Sequence, residues 1–340
     1  MKNILVTGGA GFIGSNFINY ILSGREDVRI FNLDKLTYAG NPENLRQSEK
    51  NKNYTFVKGD ICNSELVDYL FRKYSINYVI NFAAETHVDR SILGAEVFFT
   101  TNVIGTNVLL EAAKRYKTEK FIQISTDEVY GSLGPEGRFT EKSPLSPNSP
   151  YSSSKTGADL MALSYHHTYG VPVVITRCSN NYGPYQFPEK LIPLMIINAL
   201  NNKKLPVYGD GQNVRDWIHV TDHNRGVETV MDKGVPGNVY NLGADREMKN
   251  LEIIKLILSI LGKSDNLIEF IADRPGHDRR YAIDSSKIRE ELGWKPVLDF
   301  NEAIRKTVEW YLENRNWWEH IISGQYRSYY ELQYGESLSK

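Results

Sequence analysis

The chain of 340 residues is longer than one ordinary domain, so a large domain with a smaller partner is expected rather than a single core. Its 40 basic and 41 acidic residues nearly cancel, which leaves no broad field to draw it onto nucleic acid or an anionic membrane; any anion site must be local. The two cysteines, Cys62 and Cys178, are too few and too far apart for a disulfide framework or a zinc site. The start, Met1 to Val6, reads as a strand rather than a signal peptide, and no apolar run approaches the roughly 18 residues of a spanning helix. The expectation is a cytoplasmic protein with no metal, no membrane and no nucleic-acid partner.

In chain order, apolar runs at 4–6, 28–33, 55–57, 78–82, 121–124 and 173–175 are bounded by turn residues and read as strands. Helical patterns fall between them, near 14–22, 64–73, 95–116 and 153–169. Strands alternating with helices imply βαβ units and a parallel sheet. Between Gly134 and Pro150 the composition changes to Gly, Pro and Ser, and Pro135, Pro144, Pro147 and Pro150 prevent regular structure; an ordered loop beside the active site is expected. After about Arg177 the pattern loosens, with amphipathic helices at 251–261 and 301–314.

The first turn, Thr7-Gly8-Gly9-Ala10-Gly11-Phe12-Ile13-Gly14, follows a strand and opens a helix. Side-chain-free backbone there lets a pyrophosphate approach the free N–H groups and dipole of a helix N-terminus. Asp34 ends the second strand 20 residues after Gly14, where an acid accepts from an adenosine ribose hydroxyl and repels a 2′-phosphate, favouring NAD over NADP. The competing reading is a tight turn with Asp34 as a cap. Asp60, after the third strand, suits either the adenine or a cap. The fold class expected is thus α/β, a Rossmann-type doubly wound parallel sheet over 1–176, with part of 220–245 returning to it, and a smaller mixed α/β substrate-binding domain over 177–330.

Tyr151 and Lys155 stand four apart at the start of a helix and share a face. A free Tyr titrates near 10, so an adjacent ammonium and a cationic nicotinamide are needed before its phenolate accepts an alcohol proton at neutral pH. The bare spacing also fits a surface Tyr and a solvated Lys. Asp127 and Glu128 follow the run Phe121 to Ile124, at the carboxyl end of a parallel strand where ligands bind in such sheets. They can address one substrate together only where the chain leaves the strand. Like-charge proximity then encourages one to stay protonated as acid and the other ionised as base; a capping Asp with a first-turn Glu is the alternative.

With these motifs, and with Ala83 to Ser91, Arg177 to Pro184, Arg215 to Asp222 and Arg274 to Asp278, the chain resembles the extended short-chain dehydrogenase/reductase family in its sugar-nucleotide dehydratase branch. The likeness runs from the Gly-rich turn to at least Trp294. It is most specific at Thr126-Asp127-Glu128, where the related epimerases carry small or hydroxyl residues, and the catalytic positions show no departure. The resemblance implies NAD as cofactor and a nucleotide sugar, dTDP-glucose, as substrate for deoxysugar biosynthesis. Tyr151 would take the C4 hydroxyl proton as hydride passes to NAD, Glu128 the C5 proton, and Asp127 would protonate the departing C6 hydroxyl. Thr126 would bond the sugar near C4, and Lys155 the nicotinamide ribose.

The family further implies cofactor contacts from Gly8, Gly11, Phe12, Ile13, Gly14, Asp34, Lys35, Thr37, Asp60, Ile61, Ala83, Ala84, Thr101 and Asn181 besides Tyr151 and Lys155. It implies a substrate pocket of Thr86, Thr126, Asn180, Glu189, Lys190, Leu191, Pro206, Tyr208, Arg215, Asn250, Arg274 and His277. The helices near 95–116 and 153–169 form a homodimer interface in the family. Other functions open to the same sequence are a sugar-nucleotide 4-epimerase, a dehydratase of another hexose nucleotide, and a non-catalytic NAD-binding protein. His87, His219, His166, His167, Trp317 and Trp318 are expected to be structural, and Arg279 and Arg280 a solvated run.

Overall fold

The computed structural model describes residues 1–323; the last stretch expected in the second domain, 324–330, lies outside the described residues. Seven parallel strands form the main sheet: β1 (Lys2–Thr7), β2 (Val28–Asp34), β3 (Tyr54–Lys58), β4 (Tyr78–Asn81), β5 (Lys120–Thr126), β6 (Val173–Cys178) and β10 (Val239–Leu242). Their order is β10-β6-β5-β4-β1-β2-β3, so the chain reverses direction across the sheet after β3, between β1 and β4. Such a switch point opens a crevice at the carboxyl ends of the strands.

Successive residues of a strand face opposite sides, and β1 shows it. Ile4 and Val6 enter one apolar core with Phe17, Ile18 and Val227, while Leu5 enters the other with Phe31, Leu110 and Phe121. Helices Phe12–Gly24 and Val220–Lys233 cover the first face; Ser64–Tyr74, Thr106–Tyr116 and Pro150–Tyr169 cover the second. Helix Pro150–Tyr169 starts sharply because Ser149 and Ser152 cap it reciprocally and Pro150 occupies its first turn.

Two small sheets stand beyond the main one. β7 (Asn180–Tyr182), β9 (Val214–His219) and β11 (Glu247–Lys249) make a three-stranded sheet, and β8 (Leu205–Tyr208) pairs with β12 (Ile268–Ile271). A separate apolar core lies behind them, built from Ile196, Trp217, Ile254, Ile304 and Trp318 among others. The 134–150 loop is fastened to this half of the molecule: Phe139 bridges Ile283, and Asn148 donates to Asp278 at 2.6 Å.

The expected helix over 95–116 is interrupted. A helical turn at Glu96–Phe99 runs into π-helical Thr100–Gly105 before Thr106–Tyr116 resumes α geometry. Within the wider turn, Asn102 accepts from the backbone N–H of Glu85 and donates to the Ser154 hydroxyl.

Candidate active site

β5 runs two residues past Ile124, because Ser125 and Thr126 still pair with Arg177 and Cys178 of β6. A short 3-10 turn, Asp127–Tyr130, then breaks the alternation of the strand. Thr126 stabilises that turn: its hydroxyl accepts from the Glu128 N–H at 3.3 Å and donates to an Asp127 carboxylate oxygen at 3.2 Å. Both carboxylates therefore line one cleft.

Their surroundings differ in sign. Asp127 is buried, its second oxygen has no partner, and burial, Glu128 and Asp216 together push its acidity well above the usual carboxylate range. Burial also raises Glu128, but Arg274, Lys190 and Arg215 oppose the rise. The anions beside Asp127 favour its protonated form, and the cations beside Glu128 favour its carboxylate.

Tyr151 and Lys155 project from the first turns of their helix into the same cleft. Burial, then Glu128, raises Tyr151 well above 10, while a hydrogen bond with Thr126 works against the rise. The Lys155 ammonium donates to the Ile124 carbonyl at 2.6 Å, and burial lowers its pKa. In this state the tyrosine is a neutral phenol, and Lys155 is anchored to the backbone of β5.

A dinucleotide fits the first turn. Gly8 adopts φ +67°, and a Cβ there would meet Ala83 backbone at 2.6 Å; a Cβ on Gly14 would meet the Gly8 carbonyl at 2.5 Å. The helix that follows has no side-chain cap at Gly11 and no acid in its first turn, so its N–H groups remain available to an anion. Asp34 is fixed by the N–H groups of Ala10 and Leu36. Asp60 both caps Cys62 and pairs with Lys35 at 2.7 Å. The side-chain oxygen of Asn181 is buried without a partner, an acceptor that a bound amide or hydroxyl satisfies.

All the cofactor residues inferred from sequence line this one cleft: Gly8, Gly11, Phe12, Ile13 and Gly14; Asp34, Lys35 and Thr37 after β2; Asp60 and Ile61 after β3; Ala83 and Ala84 after β4; Thr101; and Asn181. Thr86, Asn180, Glu189 and Lys190 from the substrate set line it too.

Leu191, Pro206, Tyr208, Arg215, Asn250, Arg274 and His277 are not among the residues lining that cleft; they cluster on the elements beside it. Tyr208 and Arg274 both donate to Asp89, at 3.2 and 2.7 Å, and His277 stands edge-on to Tyr208. Arg215 donates to the Asp278 carbonyl and lies over the Tyr281 ring. The Asn250 side-chain oxygen and Arg274 Nε are buried without partners. Pro206 sits on β8, and Leu191 opens the helix after Lys190. Sequence reasoning gave no role to Asp89, which fixes Arg274, or to Asp216. Their burial depends on contacts with distant parts of the chain.

The remaining expectations divide. Trp317 and Trp318 are buried, donating to Asn44 and to the Tyr311 carbonyl. His166 bonds the Val171 carbonyl, and burial lowers His87 and His219 to about 4. Arg279 is exposed and paired with Asp210, whereas Arg280 is largely buried and grips Glu247 with both nitrogens of its fork, so only Arg279 has the solvated character expected.

Comparison with known proteins agrees with this geometry. The family model described as GDP-mannose 4,6 dehydratase matches residues 5–307. A "dTDP-glucose 4,6-dehydratase" of Xanthomonas campestris pv. campestris (strain B100) is 50% identical, covering 96% of this chain and 98% of its own. Among solved structures, the dTDP-glucose 4,6-dehydratase of Bacillus anthracis in complex with NAD is 52% identical with a TM-score of 0.89, covering 94% of this chain and 100% of that one. DesIV of Streptomyces venezuelae, a dTDP-glucose 4,6-dehydratase solved with NAD and dTDP bound, is 48% identical with a TM-score of 0.92 over 94% and 99% of the two chains. A fold, a paired-carboxylate strand end and relatives at about half identity agree across nearly the whole length: the chain belongs to the GDP-mannose 4,6 dehydratase family.

Proposed function

We propose that this protein is an NAD-dependent hydro-lyase that converts dTDP-glucose to dTDP-4-keto-6-deoxyglucose and water. The observation that carries the reading is the adjacent pair Asp127 and Glu128, turned into one cleft and held in opposite electrostatic surroundings. An epimerase acting at C4 alone has no use for such a pair. The substrate follows from the named relatives, two of which were solved with NAD.

The residues divide the work. Bound NAD supplies a hydride acceptor for C4 and later returns that hydride to C6. Tyr151, once the Lys155 ammonium and the positive charge of the bound nicotinamide have brought it to its phenolate, takes the C4 hydroxyl proton, and Thr126 bonds the sugar near C4. The resulting ketone acidifies C5–H. Glu128 removes that proton, and Asp127, kept protonated, gives its own to the C6 hydroxyl, which leaves as water. The proton at C5 is restored by Tyr151 or solvent. Arg215, Arg274 and His277 suit the substrate diphosphate.

The domain reading accompanies this one: 1–176 with part of 220–245 holds the dinucleotide, and 177–330 holds mainly the sugar nucleotide. We also read the protein as a cytoplasmic homodimer. No helix among the described residues is long and apolar enough to cross a membrane. Val97, Phe99, Ile104 and Leu160 are exposed on the helices expected to meet a second copy, and Ile92 and Leu93 on the short helix just before them, apolar side chains that a partner subunit would cover.

The test is to incubate purified protein with dTDP-glucose, adding no NAD, and follow mass and proton NMR, with UDP-glucose and GDP-mannose in parallel. Loss of one water with a new C6 methyl, from dTDP-glucose alone, is the expected result. A product of unchanged mass, inverted at C4, would replace this reading with an epimerase.

A further inference from the structure

The loop after β2 is tied down at both ends. At its base Asp34 accepts from Ala10 and Leu36, Gly40 donates to the Thr37 carbonyl, and Asn41 donates to the Ala10 carbonyl. At its tip Tyr38 reaches the opposite wall of the cleft. Its hydroxyl donates to Glu189 at 3.0 Å, and its ring meets Phe187 edge-on at 5.5 Å. A third piece of chain completes the contact: Arg90, on the short helix Val88–Leu93, lies over the Tyr38 ring at 3.9 Å and donates to the other Glu189 oxygen at 2.9 Å. The Glu189 side chain is 1% exposed, so both its oxygens are committed to this contact. Thr37, Ala39 and Gly40 on one wall, and Phe187 and Glu189 on the other, line the same cleft.

Three segments far apart in sequence thus converge on one carboxylate, which buries a charge with its cation and a phenol. A stacked guanidinium and an edge-on ring add to the hold. We infer that Tyr38 and Arg90, closing on Phe187 and Glu189 across the cleft, are positioning residues that retain the dinucleotide between the two halves of the reaction. The inference rests on the proposed function, in which the cleft holds NAD. That cycle gives the requirement: the hydride taken from C4 must go back to the same sugar, so a cofactor released midway ends the turnover.

The experiment compares wild type with Arg90→Met and Tyr38→Phe. Each protein is loaded with NAD and freed of excess by rapid gel filtration. Release is then followed by trapping free NAD with alcohol dehydrogenase and ethanol. Release about tenfold faster for Arg90→Met and about threefold faster for Tyr38→Phe is expected, the scale of one charge-assisted contact and one neutral bond. Both variants should lose activity on dilution and recover it with added NAD, with kcat at saturating NAD unchanged, a pattern that a merely structural defect does not give. Melting in saturating NAD reports folding, and Tyr38→Phe decides the matter if Arg90→Met does not fold. Release within twofold of wild type in the folded variants overturns the inference while leaving the proposed function standing. A wild type that retains no NAD overturns both.

Discussion

Asp127 is a carboxyl held where ionisation is unfavourable, beside Glu128 and Asp216 and out of water. Its folded pKa lies above its unfolded value, so its contribution to stability is complete below the ordinary Asp value of 3.8 and is lost as pH rises toward the folded value. Asp127→Asn removes that penalty. The variant should melt higher than wild type at pH 7, by about 2 °C, with the gap closing near pH 4, while its dehydration rate falls by about 10²-fold or more; scanning calorimetry at the two pH values checks the sign. Catalysis by the pair also fixes a pH profile. Activity falls on the acid side as Glu128, raised by burial, takes up a proton, and on the alkaline side as Asp127 loses one. Glu128→Gln should remove C5 proton exchange in deuterated water and leave C4 oxidation, seen as transient NADH absorbance, in place.

The elements that carry these residues are held by a few buried contacts. Arg177 on β6 donates to Asp159 on the Tyr151 helix at 2.9 Å and to the Tyr130 hydroxyl at 3.0 Å, tying the helix to the sheet and to the turn after Glu128. Both partners are almost fully buried, so Asp159→Asn leaves a charge uncompensated and should cost about 3–5 kcal/mol in denaturant unfolding. Gly14→Ala drives a methyl into the Gly8 carbonyl at 2.5 Å and should abolish NAD retention. Gel filtration of the loaded protein checks it. Six of the seven main-sheet strands were legible because strands covered on both faces are continuous apolar runs, as at Val173 to Ile175, and the Gly-rich turn because it needs particular residues; the seventh, Val239–Leu242, is a four-residue strand interrupted by Asn241 and does not read as one. The small sheets were not. β7 and β11 are three residues each, too short for a period to show. The π turn at Thr100–Gly105 escaped because Thr, Asn and Gly within a helical pattern do not announce which carbonyl each N–H will meet. Contacts such as Tyr38 with Glu189, 151 residues apart, have no local signature at all.

At the scale of the molecule, the central sheet supplies strand ends to one cleft, and Arg215 and Arg274 stand on the chain beside it; the proposed function has C4, C5 and C6 of one sugar worked on there without release. The exposed apolar side chains Val97, Phe99, Ile104 and Leu160 on the expected interface helices predict a dimer in light scattering, with Leu160→Lys shifting the population toward monomer. In the proposed cycle one hydride leaves C4 and returns to C6 of the same sugar. We would give the protein dTDP-glucose deuterated at C4 and examine the product methyl by NMR. Deuterium carried into the C6 methyl, one per product molecule, is the predicted result; a product methyl free of deuterium, with the label in water or still at C4, would contradict the account.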